Sequence, residues 1–152
     1  MVRKYTESFY YQIKLTEKLI KIWCKQIEES LDLPVTIDEM TTLSIIKEND
    51  GNIHQRDLAQ MIFKDRANTG KLLNNLEEKG LITRVDATKN KRQAKIINVT
   101  DKGDEIIAMF REEIEPLFEK LKERTSEDDR IIVKQYLQNV RDVITESIEL
   151  NI

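Results

Sequence analysis

The sequence predicts a mainly α-helical chain with one small β-hairpin past its middle, and three observations predict it. Only four Gly and two Pro interrupt 152 residues, 35% of them charged, a composition that favours long amphipathic helices over many short strands. Apolar residues recur at helical spacing through most of the chain. The pattern turns β-prone at only two short runs, Leu81-Ile82-Thr83-Arg84-Val85 and Lys95-Ile96-Ile97-Asn98-Val99.

Residues 6 to 31 read as one long helix with two apolar stripes. Phe9, Ile13, Ile20, Trp23, Ile27 and Leu31 form one, and Tyr11, Leu15, Leu19 and Ile22 the other. A helix packed on a single core needs one stripe a little over 100° wide, so two stripes mean two apolar neighbours. Pro34 ends this element, and Thr36-Ile37-Asp38-Glu39 is a capping box that opens the next. That helix buries Ile37, Met40, Leu43 and Ile46 and stops at Asn49-Asp50-Gly51.

A short helix follows from about His54 to Ile62, with Leu58, Ala59 and Ile62 inward. After the turn at Phe63-Lys64, Asp65 caps a helix from Arg66 to Lys79, closed by Gly80. Ala67, Leu72, Leu73 and Leu76 are expected inward, with Thr69 at the edge of that face. Arg66, Asn68, Lys71, Asn74, Asn75 and Lys79 are left outside. The two β-prone runs flank a polar connection, Asp86 to Ala94, that is basic at its tip. Thr100 caps a helix to about Lys122, bent or weakened at Pro116. Ser126-Glu127-Asp128-Asp129 starts the last helix with the acidic first turn that the helix dipole favours. Its apolar residues again exceed what one neighbour covers: Val133, Leu137, Val140, Ile144 and Ile148, flanked by Ile132, Tyr136, Val143 and Leu150.

Several function classes are set aside on composition. No apolar run approaches the length of a membrane-spanning helix, and Met1 to Glu7 lacks the apolar core and cleavage site of a secretory signal. One cysteine, Cys24, forms no internal disulfide, which fits a reducing cytoplasm. One cysteine and one histidine, His54, do not make the usual His/Cys metal cluster, and no metal or cofactor is expected. There is no Ser/His/Asp set, paired-His motif or Gly-rich phosphate loop, so an enzyme is not expected.

The charge distribution points elsewhere. Ten of the 25 Lys/Arg but five of the 28 Asp/Glu fall between Ile53 and Thr100, making that segment +5 and the remainder −8. A basic middle between acidic ends suggests a polyanionic partner for one region; a solvated charged face is the plainer reading.

Two short helices with a tight turn, followed by a hairpin with a basic tip, make a winged helix-turn-helix. An α-helix fits the major groove of B-DNA, and polar residues on its outer face read base edges. The preceding helix rests across the backbone, and a basic hairpin tip enters a neighbouring minor groove.

The sequence resembles the MarR family of bacterial and archaeal transcriptional regulators. The residues that carry the resemblance are Leu58-Ala59, Lys64-Asp65-Arg66-Ala67-Asn68-Thr69 and Leu76-Glu77-Glu78-Lys79-Gly80-Leu81-Ile82-Thr83-Arg84, then Asp86, Arg92 and Val99-Thr100-Asp101-Lys102-Gly103. They stand in the order of the family's second helix-turn-helix helix, recognition helix, wing and wing-to-helix junction. The outer helices match in length, placement and polarity only.

The resemblance implies one domain over 1–152: a winged-helix DNA-binding lobe at about 36–100, flanked by long N- and C-terminal dimerisation helices at about 5–32 and 101–152. It implies a cytoplasmic homodimer that sets two recognition helices in successive major grooves of double-stranded DNA, as a transcriptional regulator and expected repressor. The family's wing carries an acidic residue just before its basic pair, whereas this chain reads Asn90-Lys91-Arg92-Gln93. Lys89 and Lys91 therefore stand beside Arg92 as minor-groove candidates.

The DNA-binding candidates are His54, Gln55, Arg66, Asn68, Thr69, Gly70, Lys71, Asn74, Asn75, Arg84, Lys89, Lys91 and Arg92. For His54 and Gln55, a phosphate contact and a plain solvent-exposed helix start fit equally. Gly70 either admits close approach of DNA or is a tolerated helix glycine. Phe9, Tyr10, Tyr11 and Trp23 are candidates for a pocket taking a small aromatic or anionic effector, or are dimer core. Cys24 is a redox sensor or an idle thiol, depending on exposure and acidity. The alternative to DNA binding is a dimeric helical module that uses its winged helix to bind protein.

Overall fold

A computed structural model describes residues 4–51, 53–89 and 92–150, with residues 87–89 and 92–94 described by their backbones. Tyr5–Glu7 form a single 3-10 turn, and α1 (Phe9–Ser30) begins after it. The expected start near residue 6 moves to 9 because Ser8 takes the cap, its Oγ accepting from the Tyr11 N–H at 3.2 Å. Then follow α2 (Ile37–Glu48), α3 (Gln55–Met61), α4 (Arg66–Glu78), β1 (Ile82–Lys89), β2 (Arg92–Val99), α5 (Asp101–Arg124) and α6 (Glu127–Ser147).

Caps set the boundaries. The Thr36–Glu39 capping box opens α2, and side chains of Asp65, Thr100 and Ser126 accept from the third residue of α4, α5 and α6. Helix α5 runs through Pro116 without a break; proline removes one N–H from the ladder, which an exposed helix tolerates at a cost.

The core is a cluster drawn from α2, α3, α4, the base of the hairpin and the start of α5. Leu43, Ile46, Leu58, Leu73, Leu76, Leu81, Ile82 and Ile97 are fully buried within it. Between α3 and α4, Phe63 takes a left-handed conformation (φ 50°), and the Lys64 N–H donates back to the Ala59 carbonyl at 3.1 Å. This turns the chain sharply enough to set α4 across α3.

The hairpin is longer than expected. β1 and β2 pair antiparallel from Ile82↔Val99 out to Lys89↔Arg92, so residues 86–89 and 92–94, expected as a loop, extend the ladder. A two-residue connection forces this register, because it lets the two strands stay paired up to the turn. Asn90 and Lys91, which make that connection, lie outside the described residues.

At the base of the hairpin, α5 comes unusually close. A Cβ on Gly103 would sit 2.4 Å from the Leu81 carbonyl oxygen and 2.6 Å from Val99 Cγ1, so only glycine admits this approach. The outer helices contrast with the core. In α1 only Cys24 and Ile27 are buried, and α6 buries none of its residues. Ile131, Ile132, Val133, Tyr136, Val143 and Ile144 of α6 are all at least half exposed. Apart from Ile27, the double stripes are thus exposed or half-buried in the single chain, with Phe9 stacking edge-on against Tyr136 at 4.5 Å between α1 and α6.

Candidate nucleic-acid interface

The outward face of α4 is held rigidly from three sides. At its start, Asp65 accepts from the Asn68 backbone N–H at 2.8 Å and from the Asn68 side-chain amide. Those two bonds, the backbone one first, hold the Asp65 carboxyl below its ordinary pKa. At its end, Lys79 Nζ donates to both carboxylate oxygens of Glu39 at 2.8 Å, and Glu39 is 3% exposed. The same carboxylate accepts from the Thr36 N–H at 2.8 Å, so one group caps α2 and tethers α4. Next to it, Asp38 pairs with Lys64 in the α3–α4 turn at 2.9 Å. The first turn of α2 therefore grips the chain at both ends of α4.

The third hold is on the hairpin. Arg84 of β1 donates through Nε to Glu77 at 3.0 Å and through Nη2 to the same carboxylate and to Asn74 Oδ1 at 2.6 Å. The guanidinium lowers the Glu77 pKa, chiefly by the hydrogen bond and secondarily by charge. An Arg fork that satisfies a carboxylate and an amide oxygen together fixes orientation as well as distance.

These bonds sort the sequence-derived candidates. Arg66, Asn68, Lys71 and Asn74 lie exposed on α4, and Asn75 is half-buried beside them. Thr69 is corrected: it is fully buried, its hydroxyl donating to the Asp65 carbonyl at 2.8 Å. A threonine whose hydroxyl is satisfied by its own helix behaves as an apolar residue, and it has no surface for DNA. Ala67 is the converse, expected inward and found exposed, because the inward stripe runs Thr69, Leu73, Leu76. Arg84 is largely buried and committed to Glu77 and Asn74, which makes it a strut between hairpin and helix.

His54 is exposed as the N-cap residue of α3 and makes no side-chain cap bond. Gln55 reaches across to α4, its Nε2 lying 3.4 Å from where a Cβ on Gly70 would be. Lys89 and Arg92 are placed by their backbones opposite one another at the hairpin tip, and Lys91 falls outside the described residues. Sequence reasoning missed Glu39 and Lys79 as partners; an acidic residue at the third position of a capping box was visible, but not its second role.

The proposed effector residues do not converge. Tyr5, Tyr10 and Tyr11 cluster at the start of α1, while Trp23, 14 residues on from Phe9 in the same helix, is about 21 Å further along the axis. Two cavities lie away from all four. One of about 370 Å³ is lined by Leu121, Arg130, Val133, Leu137 and Arg141 between α5 and α6, and one of about 670 Å³ lies beside Lys47, Asp104 and Arg111. Cys24 is buried, and burial pushes its thiol pKa up, the opposite of what a reactive sensor thiol needs. Among the described residues no group of three His, Cys, Asp or Glu is placed to hold a metal ion, and no helix is long and apolar enough to cross a membrane.

A helix pair with a sharp turn, an outward polar face and a strut-braced basic hairpin define a winged helix-turn-helix protein. Residues 31–93 match the model of the MarR family. The likeness in fold extends over the outer helices. Staphylococcus aureus MepR in its DNA-binding conformation superposes with a TM-score of 0.80 at 21% identity, covering 91% of this chain and 99% of that one. The S. aureus MepR–DNA complex gives 0.76 at 22% identity, covering 93% and 100%. Streptococcus pneumoniae FabT in complex with DNA gives 0.72 at 21%, covering 95% and 100%.

Proposed function

We propose that the protein is a DNA-binding transcriptional regulator, read here as a cytoplasmic repressor and not an enzyme, that binds a pseudo-palindromic duplex as a homodimer. The observation that carries this is the outward face of α4, where Arg66, Asn68, Lys71 and Asn74 stand exposed on a helix fixed at both ends by Asp65 and by Glu39–Lys79. A polar, solvent-exposed face held this firmly suits a rigid groove of matching shape. MepR and FabT have both been solved with DNA, which supports the same use of this fold here. The bare apolar faces of α1 and α6 support the dimer, since a patch of that extent on a monomer is an association surface. A small aromatic or anionic effector that prefers one spacing of the two recognition helices would release DNA; one that binds both spacings equally shifts nothing.

The test is a salt series on specific and scrambled duplexes. Binding is expected to weaken steeply with salt, because each neutralised phosphate releases counterions. Replacing Lys91 and Arg92 with Ala is expected to flatten the slope by roughly one to two units. Absence of binding to any duplex at about 50 mM salt, or a stable monomer in sedimentation at micromolar concentration, overturns the reading.

A further inference from the structure

Resting on the DNA-binding reading above, we infer that Ala67 is a specificity-determining residue that packs against the C5-methyl group of a thymine in each half-site. At about 100° per residue, the buried stripe Thr69, Leu73 and Leu76 defines the inward direction of α4. Ala67, Lys71 and Asn74 then lie within about 50° of the direction diametrically outward, and all three are exposed. Ala67 is also in the first turn, the part of a recognition helix that lies nearest the base edges.

Its neighbours make this position distinctive. Arg66, Asn68, Lys71 and Asn74 around it are polar and exposed, so Ala67 is the single apolar side chain on the outward face of α4. The Asn68 amide is turned back onto Asp65, and Asn74 is drawn towards Arg84. On the flank of Ala67, Gly70 has no side chain and is backed by Gln55. Ala67 and Gly70, one turn apart, are thus both small, and no bulky side chain stands between them. Of the four bases, only thymine places a methyl group in the major groove, and a small apolar side chain is its complement. A cytosine at the same place would offer Ala67 no methyl group to pack against.

The experiment takes a duplex selected from a random-sequence pool and replaces each thymine in turn with deoxyuridine, which removes the methyl group and leaves every hydrogen-bonding group in place. Wild type is expected to lose about fourfold in affinity at one thymine of each half-site, the worth of one buried methyl, and roughly fifteenfold when both are replaced. In Ala67→Gly that penalty is expected to shrink below twofold at this position only, with penalties elsewhere unchanged. Ala67→Ser, which keeps the helix better, is expected to reduce it in the same direction. If the duplex is bound but no thymine shows a penalty, or the penalty is the same in both variants, the inference fails and the DNA reading stands. If no duplex is selected at low salt, the DNA reading fails and takes the inference with it.

Discussion

Lys79, the residue that ends α4, donates from one ammonium to both oxygens of the Glu39 carboxylate, 40 residues earlier in the chain. Glu39 is almost wholly buried, while the Lys79 side chain is about one-third exposed. The carboxylate therefore carries most of the desolvation cost and depends on both of its partners. Lys79→Met leaves it buried with only the Thr36 N–H, and is expected to cost on the order of 2–3 kcal/mol. Adding Glu39→Gln to that variant is expected to recover part of the loss, since removing both charges is milder than removing one. Urea midpoints at unchanged slope check this.

Arg84 gives a prediction that separates a strut from a phosphate ligand. Arg84→Ala frees Glu77 and Asn74 and is expected to weaken DNA binding, yet to leave the salt slope within about half a unit of wild type. A lost phosphate contact would change it by about 0.9. A parallel salt series on wild type and variant reads the difference.

Acid stability follows from Asp65 and Glu77. Asn68 holds the first, and Arg84 the second, below ordinary carboxylate values in the folded chain. A folded-state pKa below the unfolded one stabilises at pH above the unfolded value, near 4, and the gain is lost as pH falls through the lower folded value. Stability is thus expected to be flat above about pH 5 and to decline towards pH 3. Asp65→Asn combined with Glu77→Gln is expected to be less stable than wild type at neutral pH, with the gap closing as pH falls. Urea titrations across that range measure it.

The two helical glycines near the interface are expected to respond in opposite directions. Gly103→Ala drives a methyl into the Leu81 carbonyl and Val99 and is expected to destabilise by about 1–3 kcal/mol. Gly70→Ala meets only the end of the Gln55 side chain at 3.4 Å and is expected to stabilise by about 0.5–1 kcal/mol. It is also expected to weaken DNA binding, because it adds a methyl group one turn from Ala67. Thermal melts and duplex titrations on the same samples test both halves.

Cys24 is expected to resist alkylation in the native chain at pH 8 and to react at an ordinary rate in urea, since burial raises its thiol pKa. The comparison of labelling rates is direct.

Helix ends were the most legible part of the fold. Thr36, Asp65, Thr100 and Ser126 announce their helices by side-chain chemistry that acts over three residues, and local chemistry is what a sequence displays. Ser8 does the same for α1, whose apolar stripes begin at the next residue, Phe9. Thr69, expected at the edge of the inward face, is fully inside it, and Ala67, expected inward, is exposed, because polarity alone does not decide burial. The Thr69 hydroxyl is spent on a carbonyl four residues back, and Ala67 is too small to demand a core. The roles of Arg84 and Glu39 depend on partners brought close by the hairpin and by the packing of α2 on α4, and no spacing rule encodes those. The extended ladder of the hairpin came from the length of its connection, which polar composition disguised as a loop.

That ladder has a mechanical consequence. Eight paired positions run from Ile82–Val99 to Lys89–Arg92, both included, so the hairpin is a lever about 23 Å long at ~3.3 Å per residue step. Its fulcrum is the tight seam where Gly103 meets Leu81, and Arg84 grips it two residues from that end. A tilt of roughly 5° at the seam carries the tip about 2 Å over that length, far enough to break or make a hydrogen bond. Fine aim at the far end is therefore governed by a few contacts at the near one.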